Sequence, residues 1–394
     1  MLDDLNRDNY QSDLPTGKAK IPKFLYITVI FLLILILFIF GFNLYLKKTK
    51  EIKNSQTTNQ TDSTLISSQE AVNITKKTQS WISSQKNEEG IYRFGCECLD
   101  EFCQQCKQSV YSPRVIPFVL WSKFKYAESS SNFNDFVKEV ELSQNSVKEH
   151  SLQYSGWNCK LLYETWKSDS LSQTTKDQIK NICIKSEYEF EDGLKLPSNL
   201  DQTLLTNIKN IKTNKPLSEV SNQDQLKNFF YNNSFLVSEM VTRHLWSEIT
   251  HYVYLESNLS ETDLAKIYFD KALKGYFLKE KLGVKENAVL GIAAIDMYKL
   301  TKDETYLDFS KYLLNLKPEI GNNSSYNLIY QALLARELAI VSQDKSYESI
   351  FKTTVSNIVK YNKSNSYQEG AFKAPSEAFY LTENSLISGL ISML

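Results

Sequence analysis

The sequence predicts an all-α protein, helical hairpins arranged as an (α/α) toroid or an open helical solenoid, preceded by one transmembrane helix. Three observations carry that class. Phe24 to Leu46, "FLYITVIFLLILILFIFGFNLYL", contains no charged residue. A hydrophobic helix, a short polar turn and an amphipathic helix recur 41 positions apart in the C-terminal third, as in stacked α-hairpins. Gly and Pro number only 12 and 8 in 394 residues, too few for the many tight turns of a sandwich or barrel.

The chain divides into a short tail (1–23), the apolar segment (24–46), a polar stalk (47–69) and a helical domain (70–394). About 23 uncharged residues, at about 1.5 Å each, span a hydrocarbon core of roughly 30 Å. Lys18, Lys20 and Lys23 before the segment and Lys47, Lys48, Lys50 and Lys53 after it leave orientation undecided by charge, and long following domains translocate regardless. The stalk is rich in Ser, Thr, Asn and Gln, a solvated composition. All six cysteines follow it, an even number that suits an oxidising compartment. The expectation is a single-pass protein of the cell membrane with its C-terminal domain outside.

"FGCECLDEFCQQCKQS" (Phe94 to Ser109) gathers Cys96, Cys98, Cys103 and Cys106. In an oxidising compartment cross-paired disulfides are the simpler reading; four-thiolate zinc is the alternative, with a first pair spaced more tightly than zinc loops use. Cys159 and Cys183 lie on consecutive helices, where a third disulfide would tie a hairpin. A net charge of −1 provides no basic field for nucleic acid, and 21 Phe, 23 Tyr and 5 Trp supply a sizeable core. No cofactor is expected.

Helical spacing marks segments near 65–86, 154–168, 172–188, 222–255, 261–278 and 376–393, with hairpins at 286–317 and 326–361. Ser342, Asp344 and Tyr347 fall 41 positions after Thr301, Asp303 and Tyr306, and "FNDF" at Phe133–Phe136 is a weaker echo of "YLDF" at Tyr306–Phe309. Residues 186–223 lack a clear period and read as a long inter-helix loop.

"TQSWISSQKNEEGIYRF" (Thr78 to Phe94) resembles the helix-ending Trp and acidic-Gly-aromatic turn of α/α-toroid proteins such as the terpenoid cyclases. "NAVLGIAAIDMYKLTKDETYLDFSKYLL" resembles the Asn-Ala, Thr-x-Asp-x-x-Tyr-Leu hairpin of the six-hairpin glycosidase superfamily, and "EGAFKAPSEAFYLTENSLISGLI" is similar to the last inner helix of those rings. The resemblance implies a glycan-processing or glycan-binding protein with two carboxylates across a central funnel. The Asp-rich motif of the cyclases is absent.

The catalytic pair expected on this basis is Glu239 with Glu377, from hairpins far apart in sequence. Arg243, His244, Trp246 and Tyr380 are the expected substrate-binding residues, since sugar faces stack on aromatics and hydroxyls take charged partners. Glu88, Glu89, Arg93 and Glu383 are further candidates, and Trp157 and Trp166 read as inner or rim positions. The alternative is a non-catalytic cell-surface scaffold or protein-binding helical repeat.

Overall fold

The computed structural model describes residues 65–88, 90–98, 106–149, 157–185, 198–217, 220–247, 249, 259–317, 325–365, 367–368, 370–372 and 378–394. These belong to one unit, Thr64–Leu394. The predicted span Phe24–Leu46 lies outside the described residues, among which no helix is long and apolar enough to cross a membrane.

Six helices form an inner layer: α2 (Ile116–Ser130), α4 (Asn158–Trp166), α8 (Phe230–Leu245), α10 (Val284–Thr301), α12 (Ser325–Ser342) and α14 (Leu381–Ile391). Each packs on the next in that order, and α14 packs back on α2, so the layer closes into a ring. The outer layer is α3 (Asn134–Glu149), α5 (Gln173–Ile184), α9 (Glu261–Phe277), α11 (Glu304–Asn315) and α13 (Lys345–Asn365), each following its inner partner in the chain. The sixth outer helix is α1 (Ser68–Ser84), which begins the domain and packs on α14, which ends it. This closure settles the choice between toroid and open solenoid.

Sequence dictates the layers. α10 is apolar nearly all round and every residue from Asn287 to Met297 is buried, whereas α11 buries one stripe through Tyr306, Phe309 and Leu313. The 41-residue repeat returns as identical turn chemistry. Lys302 and Gln343 both adopt left-handed backbone, with φ of 62° and 58°. Asp303 then accepts from the Thr305 N–H at 2.9 Å, and Asp344 from the Ser346 N–H at 2.8 Å.

The ring is stapled where it closes. Gln79 of α1 donates to Ser122 of α2 at 2.7 Å and to Ser388 of α14 at 2.9 Å, all three being buried. At Gly389 of α14 an added Cβ would lie 2.2 Å from the Trp121 ring of α2, so only glycine permits this approach.

Two expectations need correction. The chain is mostly helical but carries short strands: β1 (Arg93–Cys98), β2 (Cys106–Tyr111), β3 (Tyr367–Gln368), β4 (Ala371–Phe372) and β5 (Ala378–Tyr380). The cysteine segment is a β-hairpin extended by β5 into an antiparallel sheet, β2-β1-β5, with Cys98 opposite Cys106 and Gly95 opposite Tyr380. Cys103 and the side chains of Cys96, Cys98 and Cys106 lie outside the described residues. The expected loop at 186–223 contains α6 (Leu200–Lys212), packed on α9 and α11; the short α7 (Gln223–Asn228) opens the segment 222–255 that was expected to be helical. Leu200, Leu204, Ile208 and Ile211 of α6 are buried, an apolar stripe at helical spacing.

Candidate functional site

The ring interior is layered, and the layers come from successive turns of the inner helices. At the N-terminal ends stand Tyr231 (α8), Lys285 and Glu286 (α10), Tyr326 (α12) and Thr382 and Glu383 (α14), all half-buried, with Tyr380 just ahead of α14. Tyr326 and Tyr380 make an edge contact, ring centroids 6.4 Å apart. Asn384 fixes this rim, accepting from the Phe372 N–H at 2.6 Å while its amide donates to the Phe372 and Tyr380 carbonyls at 3.0 and 2.9 Å. The Tyr326 hydroxyl donates to the same Phe372 carbonyl at 3.1 Å.

Beneath the mouth, Trp157 meets Phe235 at 5.0 Å and Tyr330 at 5.8 Å, and Phe235 meets Tyr330 at 6.1 Å. α4 and α12 stand opposite one another in the ring, so the Trp157–Tyr330 contact crosses its axis and makes an aromatic floor. Deeper still, toward the C-terminal ends, lies a layer of ion pairs. Lys160 pairs with Asp296 at 2.7 Å, Lys299 with Glu337 at 2.6 Å, Lys125 with Glu164 at 3.1 Å, and Arg336 with Glu164 across the ring. Burial pushes the Glu164 carboxyl up, but Arg336 and Lys125 override it and hold it at about 2. Burial likewise opposes ionisation of Glu337, and Lys299, Lys160 and Arg336 outweigh it, keeping it well below the usual carboxylate range. Floor and ion pairs together fill the ring axis beneath the mouth residues.

The two carboxylates of the mouth differ in commitment. Glu286 reaches back to the start of its own helix, accepting from the Gly283 N–H at 2.9 Å, and also accepts a hydrogen bond from the Tyr231 hydroxyl. Glu383 accepts from the adjacent Thr382 hydroxyl. Burial, then the charge of Glu383, raises both Tyr326 and Tyr330 above the usual phenol value; burial and the bond to Glu286 do the same for Tyr231. All three phenols are therefore protonated donors at neutral pH.

The residues expected from sequence are scattered by this geometry. Tyr380 stands at the mouth, as does Glu383. Glu377 lies outside the described residues. Glu239 is on an inner helix, as expected, yet its side chain is 0 % exposed and faces α4 instead of the axis. Both of its oxygens accept from the Cys159 N–H, at 3.0 and 3.1 Å, and Arg243 lies 3.6 Å away. α4 needs this service, because its N-cap residue is Trp157, which has no capping side chain and is held at φ 64°. Glu239 is thus the cap of α4 supplied from α8, not an acid open to a ligand. Arg243 completes the brace by donating to the Cys183 carbonyl at 3.2 Å, and the expected Cys159–Cys183 disulfide ties α4 to α5.

His244 is exposed at the C-terminal end of α8, its Nδ1 3.1 Å from the Thr262 hydroxyl. Trp246 is buried there against Tyr163 and Trp166 at 5.3 and 5.1 Å. Both sit at the opposite end of α8 from the mouth residue Tyr231. The sequence reading missed Tyr231, Lys285, Glu286, Tyr326 and Tyr330. One signal was available: each lies within about two turns of an inner-helix start, where ring proteins open.

Among the described residues, ring closure defines an α/α toroid of six helical hairpins with aromatic and acidic residues at the N-terminal ends of its inner helices. No family model and no curated protein matches the sequence. Among solved structures, the chain is similar to the glycoside hydrolase family 76 (mannosidase) Bt3792 from Bacteroides thetaiotaomicron, at 10% identity over 82% of this chain and 97% of that one, TM-score 0.42. It is also similar to the Lin0763 protein from Listeria innocua, at 12% identity over 82% and 96% of the two chains, TM-score 0.40.

Proposed function

We propose that this protein is a membrane-anchored, extracytoplasmic toroid that takes the end of a glycan into its funnel mouth. The observation that carries this is the mouth itself: half-buried Tyr231, Tyr326 and Tyr380 for stacking on sugar faces, with Glu286, Glu383 and Lys285 among them for hydroxyls. An axis filled beneath the mouth suits a chain end better than a chain running through. The uncharged segment 24–46 and the polar residues 47–63 that precede the folded unit support a tether, and the Cys159–Cys183 bridge suits an oxidising location.

Glu383 is the carboxylate placed to exchange a proton with a bound glycoside, and Glu286, fixed by its two hydrogen bonds, orients the sugar through Tyr231. That double commitment of Glu286 favours a second reading, a glycan-binding protein without turnover. The full chain in nanodiscs, incubated with a panel of oligosaccharides, separates the two. New reducing ends, lost by about 10²-fold or more in Glu383→Gln with binding retained, support the enzyme. Binding without turnover in the unmutated chain supports the second reading. No binding across the panel refutes both, leaving the protein-binding scaffold.

A further inference from the structure

Lys285 is placed against the electrostatics of its own helix. It lies in the first turn of α10, where the positive end of the helix dipole disfavours a cation. It is half-buried, and among the described residues it forms no ion pair, since the adjacent Glu286 is turned to Gly283 and Tyr231. Two aromatic faces hold its ammonium instead, with the Tyr231 centroid at 4.8 Å and the Tyr330 centroid at 5.1 Å. A cation kept at a positive helix end with no carboxylate partner is available to an anion.

The surroundings say which function. α2, α8 and α12 bring first turns without an acidic residue to the ring, adding uncompensated positive helix ends. Tyr330 is only 7 % exposed, and its hydroxyl makes no hydrogen bond among the described residues. Tyr330 meets Trp157 and Phe235 below and the Lys285 ammonium above, at 5.1 Å from its centroid, and the Glu383 charge acts on its phenol. The Tyr330 hydroxyl oxygen is not among the fully buried unpartnered side-chain atoms, so it is an accessible donor that an acceptor can reach.

We propose that Lys285 and the Tyr330 hydroxyl form the recognition point for the carboxylate of an acidic sugar, a uronate, at the end of the bound glycan. This rests on the glycan reading of the mouth. One ammonium and one hydroxyl match a single charge shared by two oxygens, whereas Glu383 beside Tyr330 opposes the second charge of a phosphate. The Tyr326 ring is left to cover the sugar's apolar edge.

Isothermal titration of the full chain in nanodiscs tests this, using disaccharides that end in glucuronic, galacturonic or mannuronic acid, their carboxyl-reduced counterparts and the matching 6-phosphates. At least one uronate should bind about tenfold or more tighter than its reduced counterpart. Lys285→Met should erase that ratio, lowering affinity for the uronate by about tenfold more than affinity for the reduced sugar, which loses only a hydroxyl contact. Tyr330→Phe, which deletes one oxygen and keeps the floor, should lower the ratio severalfold. Equal binding of uronate and reduced sugar overturns the inference and leaves the glycan reading standing. Tighter binding of the phosphate overturns the choice of carboxylate. Binding of none of the three overturns the glycan reading together with the inference.

Discussion

Replacing Glu239 tests whether it is a structural cap or a catalytic acid, and the structure fixes the size of the effect. Glu239→Gln keeps the volume and one acceptor for the Cys159 N–H, but removes the Glu239 charge from beside Arg243, itself 3 % exposed. Breaking a buried pair by removing one partner costs about 3–5 kcal/mol. Glu239→Ala adds loss of the charge-assisted bond to the α4 N-terminus, a further ~1.5–3 kcal/mol. The control is Arg243→Met, alone and combined with Glu239→Gln. If the two residues form one brace, the double variant should be less destabilised than the sum of the singles by about 2 kcal/mol, because neither then leaves a buried charge behind. Equilibrium denaturation of the four proteins gives the cycle. Additive penalties, or a Glu239→Gln variant as stable as the parent, would refute the brace.

Other expectations follow from the same coordinates. Cys159→Ala with Cys183→Ala opens a loop of sequence separation 24 and should lower unfolding free energy by about 3.5 kcal/mol; a denaturation midpoint that does not move would count against the bridge. Gly389→Ala forces a methyl into the Trp121 ring at the ring closure and should cost about 1–3 kcal/mol, read as a lowered melting temperature. Glu164 is held at about 2 in the folded state, so its contribution is fully present above the ordinary value of 4.5 and lost as pH falls toward 2. Glu164→Gln should therefore flatten the acid limb of the stability profile, and an unchanged acid limb would place the charge elsewhere.

How much of this was legible in the sequence follows from what each signal encodes. Helices were legible because burial writes a period of 3.6 into them. The 286–317 and 326–361 hairpins show it twice, and their shared turn chemistry at Asp303 and Asp344 made the repeat visible. The strands were not, since β3, β4 and β5 are two or three residues long, and the alternation of Phe94, Cys96 and Cys98 in β1 rests on cysteines that read first as disulfide or zinc ligands. α6 went unread although Leu200, Leu204, Ile208 and Ile211 carry the period, because the surrounding residues are polar. Site residues were harder. Periodicity placed Glu239 on an inner helix but not its depth or the face it turns, and the αL start of α4 at Trp157, which makes that carboxylate a cap, leaves no local signature. The mouth draws Tyr231, Lys285, Tyr330 and Glu383 from four helices, a proximity that only ring closure creates.

Hydrogen–deuterium exchange of the full chain, with and without a saturating oligosaccharide identified in the binding panel, tests the position of the site most directly. Protection should fall on the N-terminal turns of the inner helices, at 157–160, 230–235, 284–288, 326–330 and 380–384, and leave the C-terminal ends unchanged. Protection concentrated instead at 163–166, 244–247 and 336–342 would contradict a funnel mouth at the helix N-termini and move the site to the other end of the ring.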